Sequence, residues 1–124
     1  MKLARALIAI GSLLLLLTVL LHSYGYVQVA PKVAASNLPA ALQGAFKALW
    51  WVLSVTGILL CPLILWASRI PNGRGLVLLA TAIPVLMTLV TLLFVGVFVG
   101  SIGLGLSSLF LLAGGFLLPG TSHA

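Results

Sequence analysis

The polar side chains that could carry chemistry in this chain are few, and the first of them follow a long leucine run. Residues 20–32 read LLHSYGYVQVAPK and include His22, Tyr24 and Tyr26. A haem held by two histidines needs a second imidazole at a matching depth, but the other histidine, His123, is predicted to lie near the opposite membrane surface. The pattern therefore favours an aromatic membrane rim. A metal or haem ligand shared with another subunit is the alternative.

Metal and redox chemistry have few candidate ligands. Cys61 is the single cysteine, so an intramolecular disulfide and a Cys-x-x-Cys pair are both excluded. Copper or zinc would need more soft or imidazole ligands than His22, Cys61, Met1 and Met87 could supply together. The sequence predicts no metal ion and no cofactor, with Cys61 acting as a small buried apolar residue.

The chain contains no Asp or Glu. A proton relay, a cation site or a general base inside a membrane depends on groups that hold negative charge. No pairing of a nucleophile with a base is visible either, so we expect a protein that is not an enzyme. The formal net charge of +6 favours contact with anionic lipid headgroups. An acidic partner protein is the alternative, and no nucleic-acid partner is expected.

One set of hydroxyl and proline positions follows a single face of the third apolar run. The set is Thr81, Pro84, Thr88 and Thr91, and spacings of three and four place these residues together on a helix. Because proline has no amide hydrogen, Pro84 leaves the carbonyl of Ala80 without its helical donor. Pro62 does the same to Ile58. A polar pathway is one interpretation, but hydroxyl bonding within the helix together with close packing is favoured.

Four apolar runs must position all of these side chains. The chain has 124 residues, of which 63% are hydrophobic, and a mean hydropathy of +1.37, which exceeds what a soluble core of this size can bury. A membrane-spanning helix needs about twenty apolar residues, and the predicted spans are approximately residues 3–21, 48–67, 75–99 and 102–118. The fold prediction is an all-α integral membrane protein, a single four-helix bundle over residues 1–124.

The basic residues predict how this bundle sits in the membrane. Four of the six flank one predicted surface, and they are Lys2, Arg5, Arg69 and Arg74. Since Lys and Arg in short loops stay on the cytoplasmic side, both termini are predicted to be cytoplasmic, in a bacterial-type inner membrane. The segment 22–47, which carries Lys32 and Lys47, is then predicted to face outward. Its second half, from Pro39, is predicted either to lie in the interface as a helix or to continue into the second span.

Aromatic and basic side chains mark the two predicted membrane surfaces. Trp and Tyr favour the interface because their rings are apolar and their N–H or O–H groups are polar. The residues assigned to this rim are His22, Tyr24, Tyr26, Trp50, Trp51, Trp66, Arg69 and Arg74.

Small residues recur at helical spacing on every span, which favours close helix association in lipid. The glycines assigned to packing are Gly11, Gly57, Gly96, Gly100, Gly103 and Gly114. Gly96 and Gly100 form a GxxxG pair, predicted to share one helix face. Because such faces exceed the needs of one small bundle, we expect a non-catalytic accessory or assembly subunit that packs against a larger membrane complex. The expected partners are other membrane-protein subunits or, for a homo-oligomer, further copies of this chain. A small oligomeric permeation or lipid-handling protein is the alternative.

Overall fold

Four α-helices make up the computed structural model of this chain, which describes residues 1–120. The helices are α1 (Lys2–Ala34), α2 (Ala40–Ala67), α3 (Arg74–Phe94) and α4 (Val99–Leu117). Each is long and apolar enough to cross a membrane. This confirms the prediction of an all-helical fold with four helices that could span a membrane. His123 lies outside the described residues.

Two of the helices are long and two are short. Helices α1 and α2 have 33 and 28 residues, whereas α3 and α4 have 21 and 19. At about 1.5 Å per residue, α1 is roughly 50 Å long and α4 roughly 28 Å. The hydrocarbon layer of a bilayer is about 30 Å thick, so the α1–α2 hairpin is longer than this layer and the α3–α4 hairpin matches it.

The two ends of the bundle differ. At one end, Arg5 of α1, the α2–α3 turn and Leu118 line a common cavity, and we call this the arginine end. At the other end, which we call the aromatic end, Gly103 near the start of α4 contacts Thr18 of α1. Because α1 continues from Thr18 to Ala34, the α1–α2 hairpin projects beyond the α3–α4 turn at the aromatic end.

Most of the predicted segment 22–47 is helical. Helix α1 continues to Ala34 and α2 already begins at Ala40, so the connection between them is short. Pro39 has an extended backbone with ψ of 143°, and its carbonyl accepts the N–H groups of Leu42 and Gln43. Proline is favoured where a helix starts because its missing amide hydrogen is not needed there. The second half of the segment therefore continues into α2, one of the arrangements that the sequence allowed.

Gly96 and Gly100 do not share a helix, contrary to the expectation from their spacing. Helix α3 ends at Phe94, and Gly96 has a φ of 91°. Its N–H donates to the carbonyl of Thr91 at 3.1 Å, a bond typical of a helix C-terminus closed by a left-handed residue. Glycine adopts this conformation because it has no Cβ. The third helix is therefore shorter than the predicted span 75–99, and α4 begins at Val99.

The core of the bundle follows one face of α1. Helix α1 packs against both α2 and α4, and α3 packs against α4 and α2. The buried residues of α1 recur at spacings of mostly three and four, and they are Ala4, Ile8, Gly11, Ser12, Leu15 and Val19. This spacing keeps them on one stripe of the helix. Burial stops at Val19, so the projecting part of α1 depends on other contacts.

Candidate functional site

The closest approach between α1 and α4 occurs at two glycines. A side-chain carbon added at Gly114 would lie 2.6 Å from Cγ1 of Ile8 and 2.8 Å from the carbonyl oxygen of Ala4. One added at Gly11 would lie 2.8 Å from Cγ of Leu111 and 3.0 Å from its backbone nitrogen. Each helix therefore places a large side chain over a glycine of the other, which brings the two backbones close together.

Two further glycines extend this packing to the outer helices. A carbon added at Gly57 of α2 would overlap a methyl group of Val19, and one at Gly115 of α4 would lie 2.7 Å from Cδ2 of Leu78. Gly115 was not among the predicted packing residues, although its position next to Gly114 is a signal that α4 meets helices on two sides. By contrast, the three nearest atoms to a carbon added at Gly100 would all belong to the ring of Phe98, two residues earlier in the chain, and not to another helix.

The predicted polar pathway residues lie on α3 with their hydroxyl groups already bonded. Each threonine donates to the carbonyl four residues earlier: Thr81 to Val77 at 2.7 Å, Thr88 to Pro84 at 2.8 Å and Thr91 to Met87 at 2.6 Å. Thr81 and Pro84 are fully buried, and the Thr88 hydroxyl lies 3.4 Å from that of Ser108 on α4. This is the geometry of intrahelical bonding and packing.

An aromatic cluster joins α1 to α2 at the aromatic end. The ring of His22 stacks on Trp50, with centroids 4.2 Å apart and planes within 10°, and Trp50 Nε1 donates to the carbonyl of His22 at 3.0 Å. Tyr26 lies 5.4 Å from Trp51, and Phe46 lies 5.4 Å from Trp50, between ring centroids. We define these five residues as the aromatic cluster. Phe46 was missed by sequence reasoning, although it precedes Trp50 by one helical turn.

The remaining predicted rim residues are distributed over both ends. Tyr24 is exposed and lies outside the aromatic cluster, and Trp66 is exposed near the end of α2. Nε2 of His22 is buried without a hydrogen-bond partner among residues 1–120. Within the same residues, no group of three His, Cys, Asp or Glu side chains could hold a metal ion. In this arrangement His22 contributes a stacked ring and a carbonyl acceptor.

The turn between α3 and α4 exposes large apolar side chains. Phe94 is 85% exposed, and Leu93 and Val97 are each 80% exposed. The hydrogen bonds at the end of this turn join neighbouring residues. The N–H of Phe98 donates to the Ser101 hydroxyl, and that hydroxyl donates to the carbonyl of Phe98, both at 2.9 Å. No charged residue follows Arg74 in the sequence. We call residues 93–98 the apolar turn.

A cavity of about 260 Å³ opens at the arginine end, and three arginines line it. Arg5 comes from α1, Arg69 from the α2–α3 turn and Arg74 from the start of α3. The turn is tight, because Asn72 has a φ of 59° and a side-chain carbon at Gly73 would overlap the carbonyl oxygen of Ala67. Arg69 and Arg74 were predicted rim residues, but their meeting with Arg5 depends on the fold.

Four surfaces thus stand out: the packing glycines, the aromatic cluster, the apolar turn and the cavity at the arginine end. No protein-family model, curated protein or solved structure matches this chain.

Proposed function

We propose that this protein is a non-catalytic accessory or assembly subunit that packs against a larger membrane complex. The observation that carries the proposal is the apolar turn, which lies beside the projecting α1–α2 hairpin. Its side chains are among the most exposed of the chain, with Phe94 at 85% and Leu93 at 80%. Because the α3–α4 hairpin matches the hydrocarbon layer in length, the apolar turn reaches the headgroup level, where its side chains meet water as well as lipid.

Water is unfavourable for the side chains of the apolar turn, and hydrocarbon is unfavourable for the non-helical part of its backbone, so neither surrounding suits the whole turn. Large contiguous apolar patches in contact with water mark interaction sites. In hydrocarbon, a non-helical backbone is tolerated only where protein buries it or where it lines a water-filled cavity. Another protein chain resolves both problems, since it supplies apolar contacts to Phe94 and Val97 together with hydrogen-bonding groups for the turn.

The projecting part of the α1–α2 hairpin offers a second contact for the same partner. Tyr24 and Val27 on α1 and Leu49 on α2 are each more than 60% exposed. The aromatic cluster holds the two helices together at this level, so the partner would meet an ordered surface. Lys32 and Lys47 are the basic residues of this hairpin, and they favour contact with anionic lipid headgroups at its outer rim.

The proposed orientation places both termini and the arginine end at the cytoplasmic face of a bacterial-type inner membrane. The support for it is the number of basic residues at that end, as the positive-inside rule requires. The projecting hairpin then lies on the outer side.

Single cysteines introduced at Ser36 and Asn72, each with Cys61→Ala, are expected to label from opposite sides of the membrane. Ser36 lies in the α1–α2 connection and Asn72 in the α2–α3 turn, at the two ends of α2. An impermeant maleimide applied to intact cells should modify the Ser36 variant only. Labelling of both from one side would contradict the four-span arrangement, and exchanged sides would reverse the orientation alone.

The test of the proposed function is photocrosslinking in the native membrane, with benzoylphenylalanine placed at Phe94. The matched control is the same group at Leu79, which also lies on α3 and is 71% exposed. We expect Phe94 to crosslink to one defined membrane protein, and Phe94→Ser to reduce the amount of that protein recovered in mild detergent. Because Phe94 is exposed, the variant should keep wild-type stability.

Three outcomes would contradict the accessory-subunit proposal. Lipid adducts alone at both positions would leave the apolar turn without a partner. A crosslink to a second copy of this chain would indicate a homo-oligomer. Solute flux across liposomes by the protein alone, reduced by Thr88→Val, would establish the permeation alternative instead.

A further inference from the structure

The cavity at the arginine end concentrates positive charge without a balancing acid. Three arginines, Arg5, Arg69 and Arg74, line a space of about 260 Å³, and the chain contains no Asp or Glu that could pair with them. Like charges gathered around one cavity raise the free energy of the folded bundle unless an anion lies among them. Guanidinium groups suit an oxyanion because they present several donors in a planar fork that matches phosphate.

Backbone groups at the same cavity add to this preference. Helix α3 begins at Arg74, with Gly73 as its N-cap residue and no capping side chain. The first N–H groups of a helix have no partner within the helix, and together they form the positive end of its dipole. Arg74, the first residue of α3, lines the cavity together with Arg5 and Arg69, and its backbone N–H is one of these donors.

The size and position of the cavity narrow the identity of the anion. Its volume is below the roughly 300 Å³ at which pockets for drug-sized ligands begin. It therefore suits one phosphate group of a headgroup and not a whole organic ligand. It lies at the ends of four helices that are long enough to cross a membrane, which is the level of lipid headgroups. Exposed apolar residues such as Leu3 and Leu79 continue from this end along the helices.

We propose that this cavity binds the phosphate of an anionic phospholipid, with Arg5, Arg69 and Arg74 as its charged ligands. The acyl chains would follow the apolar outer faces of the helices. The inference depends on the proposed function only in that this end reaches a membrane surface, and it requires no partner protein. Free phosphate shares the same recognition chemistry, so the experiment must separate the two sources.

The experiment is a lipid titration of the full chain in dodecyl maltoside, followed by native mass spectrometry and by thermal unfolding. The probes are dioleoyl phosphatidylglycerol, dioleoyl phosphatidylcholine with the same acyl chains, and inorganic phosphate. We expect phosphatidylglycerol to bind at least about tenfold more tightly than phosphatidylcholine, because the choline ammonium is repelled by the guanidinium groups. Arg5→Gln, Arg69→Gln and Arg74→Gln should each weaken phosphatidylglycerol binding by about tenfold.

The matched control removes the same kind of charge from the aromatic end. Lys32→Gln combined with Lys47→Gln should leave the affinity for phosphatidylglycerol within about twofold of wild type. Thermal unfolding without lipid checks that each variant folds. If a glutamine variant does not fold, the same arginine is replaced with lysine, which keeps the positive charge but lacks the planar guanidinium. We then expect phosphatidylglycerol binding to weaken by about threefold.

Three results would overturn the proposal. The first is equal binding of phosphatidylglycerol and phosphatidylcholine. The second is that Lys32→Gln combined with Lys47→Gln weakens phosphatidylglycerol binding as much as the arginine variants do, which would indicate attraction by net charge alone. Inorganic phosphate could protect against unfolding as well as phosphatidylglycerol at equal concentration, which would assign the cavity to a free anion. A missing crosslink at Phe94 would contradict the accessory-subunit function but would leave these lipid measurements unchanged.

Discussion

Replacing Gly114 with alanine is expected to lower the free energy of unfolding by about 3 kcal/mol, the upper part of the usual range for overpacking a core. The added methyl group would lie 2.6 Å from Cγ1 of Ile8, 2.8 Å from the carbonyl oxygen of Ala4 and 3.0 Å from the nitrogen of Ile8. Two of these neighbours are backbone atoms of α1. Because a helix backbone cannot move aside as a side-chain tip can, α1 and α4 must separate.

The measurement is thermal unfolding of the purified protein in mild detergent, with Gly105→Ala as the matched control. Gly105 lies on the same helix, and a carbon added there would meet only a methyl group of Thr88, at 3.6 Å, an ordinary contact. We expect the control to match or exceed wild-type stability, since alanine favours helix over glycine by about 1 kcal/mol. Equal melting temperatures for the two variants would contradict the close approach of α1 and α4.

Replacing Trp50 with alanine is expected to lower the free energy of unfolding by about 3 kcal/mol and to release the projecting hairpin. Trp50 is the centre of the aromatic cluster: it stacks on His22, donates to the His22 carbonyl and contacts Tyr26 and Phe46. Residues of α1 beyond Val19 are not buried in the bundle core. They therefore depend on this cluster for their packing against α2.

Hydrogen exchange across residues 22–34 measures the release of the hairpin, and thermal unfolding measures the loss of stability. Trp51→Ala is the matched control, because Trp51 is 49% exposed and its aromatic contact is with Tyr26 alone. We expect Trp51→Ala to lower the free energy of unfolding by less than half as much as Trp50→Ala does. Trp50→Phe keeps an aromatic ring but loses the N–H donor to His22, so a loss of about 1 kcal/mol is expected. Equal exchange in the two alanine variants would contradict the central role of Trp50.

The threonines and the rim residues show how far sequence reasoning extends toward a site. Intrahelical bonding by Thr81, Thr88 and Thr91 could be expected from the sequence, since the acceptor lies on the same helix. The stacking of His22 on Trp50 could not, because α1 and α2 could place many other pairs of residues side by side. For the same reason Phe46 and Gly115 were missed, although each stands next to a predicted residue in the sequence or on its helix.

By itself the sequence determined that this protein is helical, that it has four candidate spans and that its ends are rich in aromatic and basic residues. These properties are local, because a chain in lipid must bond its own backbone within each segment. The tertiary structure decided where α3 ends, which glycine meets which side chain, and that Arg5 joins Arg69 and Arg74 around one cavity. Those outcomes depend on the rotation and pairing of whole helices, which are set by contacts between residues far apart in the chain and leave no periodic pattern within any one segment.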